Sequence, residues 1–127
     1  MKFTDLNAHG GIGANCSLCE IGPFRFVIDS GLHPKFAGPE SLPKHSEIGR
    51  FTLDFIILTH CHLDHLGSLP LLSREQPDAP VILSYPSSIL ARRMLSNSIS
   101  VMKRQRSELN LPELPYYGRG DLSSLYD

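Results

Sequence analysis

Half of the chain's six histidines fall in one short stretch, His60-Cys61-His62-Leu63-Asp64-His65, with an aspartate directly before the last of them. This H-x-H-x-D-H spacing constrains the fold more than any other feature, because side chains that could share a metal must leave a rigid element together. The preceding run, Asp54-Phe55-Ile56-Ile57-Leu58, is apolar and β-branched and reads as a buried strand. His60 and His62 lie two apart, so in extended backbone both imidazoles project to the same side and can share one metal. Asp64 and His65 are adjacent, diverge, and suit a second, neighbouring position. Imidazoles with one carboxylate favour zinc, with manganese or iron as alternatives. Two close metals would clamp the attacking and leaving oxygens of a hydrolytic displacement and supply a hydroxide near neutral pH. Directly after the motif, Leu66, Leu69 and Leu72 share one side of a short helix expected over 66–73.

The rest of the composition narrows the class. A chain of 127 residues makes one domain at most, and 41% hydrophobic with 20% charged residues is globular rather than disordered. The net charge of −1 gives no global drive toward nucleic acid or acidic lipid, so such binding would need a local patch. No apolar run approaches the ~20 residues of a membrane span, and Met1-Lys2-Phe3-Thr4-Asp5 lacks the apolar core of a signal peptide. Cytoplasm is the expected compartment. Cys16, Cys19 and Cys61 show no framework spacing; Cys16 and Cys19 match C-x-x-C but sit on a strand pattern, where residues three apart face opposite sides, and read as small buried thiols.

Taken in order, 2–8 reads as a strand with Phe3 and Leu6 as candidate core, and His9-Gly10-Gly11-Ile12-Gly13 as a glycine-rich turn whose histidine either lines the site or is an ordinary loop residue. Segments 15–21 and 24–28 form a strand pair across Gly22-Pro23, with Phe24, Phe26 and Ile28 on one face and Arg25 and Val27 on the other. Residues 35–51 read as a long loop with a helical turn near 39–42 and His45 at the surface. Val81-Ile82-Leu83 reads as a short buried strand. A long helix is expected over about 86–109, with Ala91, Leu95, Ile99 and Met102 as its core stripe and Leu90 and Met94 beside it. It carries Arg92, Arg93, Lys103, Arg104 and Arg106, which are either phosphate contacts or a solvated face. Residues 110–122 break the helix as a linker or the entry to a further element.

The stretch His60 to His65 resembles the second signature motif of the metallo-β-lactamase superfamily. The resemblance implies that His60 and His62 bind one metal, and Asp64 and His65 the other. Val27-Ile28-Asp29-Ser30-Gly31 resembles the first motif of the same superfamily, which implies that Asp29 accepts a hydrogen bond from a ligand histidine and fixes its orientation. Leu32-His33-Pro34 extends the likeness toward the β-CASP branch, whose members process RNA or DNA and include RNase J-like enzymes and the endonuclease of mRNA 3′-end formation. His33 then stands near the scissile phosphate or is an ordinary pre-proline residue.

The implied fold is α/β (α+β): residues 1–127 are the N-terminal half of a metallo-β-lactamase αββα sandwich. No histidine follows His65, so the family's later ligands are absent and each metal site is under-coordinated. A half sandwich leaves a sheet edge and a core face uncovered, to be closed by the remainder of the fold or by a partner chain, a homodimer being one form. The implied function is a metal-dependent phosphodiesterase or ribonuclease acting on RNA or DNA through a binuclear zinc site, with Asp29 and Asp64 as its catalytic carboxylates and with the chain alone inactive. Two alternatives are a small ester, thioester or lactam hydrolase on the same centre, and a non-catalytic interaction or assembly module.

Overall fold

The computed structural model describes residues 1–7, 13–33 and 36–126. The expectations for His9 and its glycine turn, and for Pro34, lie outside them. Five strands form one mixed sheet in sequence order: β1 (Lys2–Asp5), β2 (Ser17–Ile21), β3 (Phe24–Ile28), β4 (Phe55–Ile57) and β5 (Val81–Ile82). The first three pair antiparallel, and β3–β4 and β4–β5 pair parallel. Four helices follow in the second half: α1 (Leu63–Leu66), α2 (Leu69–Glu75), α3 (Tyr85–Glu108) and α4 (Arg119–Tyr126).

The two sheet faces are unequal. Leu18, Val27 and Ile56 stand on one face by register, and all are buried in a single core with Leu66, Leu69, Leu72, Leu95 and Ile99 from the helices. The helical layer therefore covers that face. The opposite face carries Phe3, Ile21, Phe24 and Ile82, which are 62%, 45%, 55% and 52% exposed, around a stacked Phe26–Phe55 pair whose centroids are 4.7 Å apart. Two expectations are corrected here. Phe3 is not core, whereas Leu6, the other candidate, is fully buried just past the strand. Strand β3, whose two faces group as expected, buries Val27 because the helices pack on that side. Strand β5 is an exposed edge rather than a buried strand, since Ile82 faces away from the helices.

Helix α3 starts where Ser84 caps it, its hydroxyl accepting from the Ser87 amide, with Pro86 in the first turn. Ala91, Leu95, Ile99 and Met102 are buried as their spacing predicts, and Ser98 joins them. Leu90 is exposed, so the stripe is narrower than expected. The helix expected over 66–73 is two helices, α1 and α2, separated at Gly67 and Ser68. The loop after β3 contains two 3-10 turns, Gly38–Ser41 and His45–Glu47. Cys16 and Cys19 are free and buried; burial, helped by Asp29 and Asp5, pushes the Cys16 thiol up to about 12, which makes it inert. Among the described residues no helix is long and apolar enough to cross a membrane.

Gln76 holds the entry to β4. It is 1% exposed, its Oε1 accepts from the amides of Thr52 (2.9 Å) and Leu53 (3.0 Å), and its Nε2 donates to the Gly49 carbonyl (2.7 Å). Replacing Gln76 by leucine keeps the volume but orphans the Thr52 and Leu53 amides, while the Gly49 carbonyl keeps the Thr52 hydroxyl as a donor. We expect Gln76→Leu to lower unfolding free energy by about 2–4 kcal/mol in urea titrations.

Candidate metal centre

The site forms where two neighbouring parallel strands end. Ile28 of β3 and Ile57 of β4 are register partners, so the chain leaves both strands at the same level. Asp29 follows β3 and His60 follows β4 closely, which brings the two sequence motifs together. Asp29 takes a left-handed backbone conformation (φ 64°), which aspartate tolerates better than most residues, and it turns the chain under the His60–His65 loop.

Its carboxylate is 5% exposed and fully engaged. Oδ1 accepts from the Thr59 amide (2.8 Å); Oδ2 accepts from the Thr59 hydroxyl (2.6 Å) and from His65 Nδ1 (2.8 Å). A carboxylate accepts, so the His65 proton must sit on Nδ1, leaving Nε2 as the ring's outward atom. Thr59 extends the same logic. Its single proton is given to Asp29, so the 3.2 Å contact of Thr59 Oγ1 with His60 Nδ1 has the ring donating, and His60 also presents Nε2. The sequence reading missed Thr59. Its position directly before the first histidine was the available signal.

His65 Nε2 lies 3.5 Å from Asp64 Oδ2. With Nδ1 occupied, this sets a ring lone pair against an anionic oxygen, an arrangement that is favourable only with a cation between or beside them, either a ring proton or a metal. The His60 ring is 4.7 Å from that of His65 and 6.4 Å from that of His62, measured between centroids. The four motif side chains therefore share one mouth. The donor chemistry fits zinc: borderline imidazoles, one carboxylate, and a buried carboxylate orienting a ligand ring. Among the described residues, however, no three histidine, cysteine, aspartate or glutamate side chains converge on one metal position. The set is a partial one.

The backbone beneath the loop is clamped from the β3 side. The Asp64 carbonyl accepts from both the amide and the side-chain Nδ2 of Asn15 (3.0 Å each), Ser30 N donates to the His65 carbonyl (2.7 Å), and Leu32 N to that of Leu63 (2.8 Å). Gly31 is required at this crossing, since a Cβ there would stand 1.9 Å from the Asp64 carbonyl oxygen. Gly67 carries the other anchor: its carbonyl accepts from the Tyr117 hydroxyl (2.7 Å), which also contacts Ser98 of α3 (2.8 Å). The stretch expected as linker or entry thus holds the end of the metal loop before continuing into α4.

His45 is a further correction. It is half-buried, not a surface residue, and its Nε2 contacts the Ser30 hydroxyl (2.9 Å), which in turn contacts Ser68 Oγ (2.7 Å). Both serines are fully buried behind the loop. The sequence carried no periodicity that could reveal a contact between the loop after β3 and a serine fifteen residues earlier.

The other candidate residues divide. His33 is buried, packs its ring 4.6 Å from that of Phe36, and lines the same cavity as His62 and Asp64. Arg92 and Arg93 are exposed on α3; Arg92 lies 4.5 Å over the Tyr126 ring and lines a different cavity between α2, β5, α3 and α4. Cys61 turns toward the core, away from the histidines that flank it.

Comparison with known proteins identifies the family. Residues 9–108 match the family model of the metallo-beta-lactamase superfamily. The chain belongs to the metallo-beta-lactamase superfamily. It is 32% identical to Integrator complex subunit 11 of Danio rerio over 116 residues, which is 87% of this chain and 19% of that protein. It is 28% identical to Endoribonuclease YSH1 of Kluyveromyces lactis over 102 residues, covering 80% of this chain and 13% of the relative. Endoribonuclease YSH1 of Yarrowia lipolytica is 28% identical over 127 residues, 99% of this chain and 15% of the relative. The chain thus spans less than a fifth of the length of these relatives. Two of the three are named endoribonucleases, and the third is named as a subunit of the Integrator complex.

Two measurements check the site without metal. In ¹⁵N NMR of the imidazoles, His65 should carry its proton on Nδ1, and Asp29→Ala should abolish that preference. Burial pulls the His45 imidazole down from 6.5 to about 4. A lowered native value means that the unfolded chain takes up the proton first, so His45 contributes stability in full above pH 6.5 that is lost as pH falls toward 4. Urea unfolding between pH 7 and pH 4.5 should therefore show a smaller acid loss for His45→Gln, whose amide can still meet Ser30, than for the native chain.

Proposed function

We propose that this chain supplies the metal-loop portion of a hydrolase that cleaves phosphodiester bonds in nucleic acid, RNA foremost. The observation that carries the reading is the opposition of His65 Nε2 and Asp64 Oδ2, with the His65 proton held on the far nitrogen by Asp29. A cation is what reconciles that pair, and two relatives that match most of the chain are named endoribonucleases. On this reading His60 and His62 hold one zinc, and Asp64 and His65 the other, with manganese or iron as alternatives. When bound, zinc supplies Lewis acidity toward a phosphoryl oxygen and toward water.

The chain's own residues then have defined tasks. Asp29 keeps the Nδ1 proton on His65 directly and, through Thr59, the one on His60, so both rings offer Nε2 outward. The Gly31 crossing and Asn15 hold the Asp64 backbone against displacement. His33, on the cavity shared with His62 and Asp64, faces the approach to the phosphate. Donors missing from this chain complete the coordination, and the apolar second face of the sheet is the seat for the remainder of the fold.

The test is metal content and cleavage together, on this chain and on the longest natural polypeptide that contains it. Elemental mass spectrometry should find about two zinc ions in the longer polypeptide, lost in a His60→Ala/His62→Ala variant, with metal-dependent cleavage of RNA. Thr59→Val should weaken zinc binding about 10- to 100-fold in chelator competition, and Thr59→Ser should restore it. Hydrolysis of a thioester or lactam without cleavage of RNA or DNA would replace the substrate. A longer polypeptide that never retains metal would leave a non-catalytic assembly module.

A further inference from the structure

The underside of the metal loop closes on Ser30. Its amide donates to the His65 carbonyl (2.7 Å), and its carbonyl accepts from the Ser68 amide (3.0 Å). Its hydroxyl lies 2.7 Å from Ser68 Oγ and 2.9 Å from His45 Nε2. Both serines are 0% exposed, so their hydroxyls are closed to bulk water. Ser68 also stands at the N-cap of α2, where a serine hydroxyl ordinarily accepts from a first-turn amide. It makes no such bond and is turned toward Ser30 instead.

Proton counting fixes the state of the third member. Among the described residues these two contacts are the only ones that the two hydroxyls make. Each contact uses one proton, and the hydroxyls bring two. Were His45 Nε2 protonated, three protons would share two contacts, and one would be buried without an acceptor. With Nε2 bare, every proton is used: Ser68 donates to Ser30, and Ser30 donates to His45. The imidazole proton then sits on Nδ1. Burial pulls His45 down to about 4, so at neutral pH the ring has a bare nitrogen to offer. We propose that His45 is a positioning residue for the metal loop: its bare Nε2 takes the Ser30 proton and so orders the Ser30–Ser68 pair that holds the His65 carbonyl and the loop's exit. The inference rests on the metal-centre reading and adds to it a support from the loop after β3, outside both sequence motifs.

The tests read the loop with and without metal, in the longest natural polypeptide that contains this chain. In the metal-free protein, ¹⁵N NMR should place the His45 proton on Nδ1 and find Nε2 bare at pH 7. His45→Leu should speed hydrogen exchange of the Ser30 and Ser68 amides about tenfold while the β2–β3 amides keep their rates. His45→Gln, whose Oε1 can take the Ser30 proton, should restore slow exchange. In chelator competition His45→Leu should weaken zinc binding about three- to tenfold, and His45→Gln should not. In a Ser30→Ala background His45→Leu should add nothing to either readout, because its route to the loop is gone. A proton on Nε2 overturns the proposal. So do native exchange rates in His45→Leu, an effect that His45→Gln fails to restore, or one that persists undiminished with Ser30→Ala, since packing alone would give the last two. A polypeptide that holds no zinc removes the metal reading, and the exchange rates, measured without metal, still decide the role of His45.

Discussion

The Asp29 carboxylate is the interaction on which the rest of this structure depends. One buried group accepts two hydrogen bonds from Thr59 and one from His65, and so joins the end of β3 to both ends of the histidine loop. Its two oxygens are spent inside the protein, which keeps them from competing for a ligand. The protons they attract decide which nitrogen of each ring faces outward. A left-handed backbone at this position is an uncommon conformation, and it persists because every neighbour holds it in place.

Sequence reading worked where short spacing determines geometry. The H-x-H-x-D-H run follows a strand, and side chains so close in sequence cannot be far apart in space. The α3 stripe of Ala91, Leu95, Ile99 and Met102 follows from helical period alone. It left the choice open where both alternatives were apolar. Strand β3 offers Phe24 and Phe26 on one side and Val27 on the other, and no local pattern says which is covered. The choice is made by the parallel connections to β4 and β5, which send the helices over the Val27 face. It failed for Gln76, His45 and Tyr117. Each is a polar residue whose partners are distant in sequence, and no local period registers such a contact.

The incomplete donor set and the bare aromatic sheet face are two expressions of one condition. One side of the sheet has its helical layer and a continuous core; the other presents Phe3, Ile21, Phe24 and Ile82, all of them exposed among the described residues. The histidine loop likewise has inward anchors from Asp29, Asn15, Ser30 and Tyr117, while among the described residues its outward donors stop short of a complete shell. What is present is the positioning apparatus rather than the finished centre. That division lets the loop be rigid before anything binds, which is the condition under which a ligand pays little reorganisation.

The parallel pairing of β3 with β4 has a chemical meaning beyond its hydrogen bonds. Phe26 opposes Phe55, Val27 opposes Ile56, and Ile28 opposes Ile57. A slip of one residue would turn Val27 out of the core and shift Asp29 along the sheet by ~3.3 Å, more than a hydrogen bond can stretch. His65 would lose its acceptor and its proton would no longer be fixed. The packing preference of three aliphatic and aromatic pairs therefore encodes the location of a single hydrogen atom, and a folding error in this sheet would surface as a chemical one.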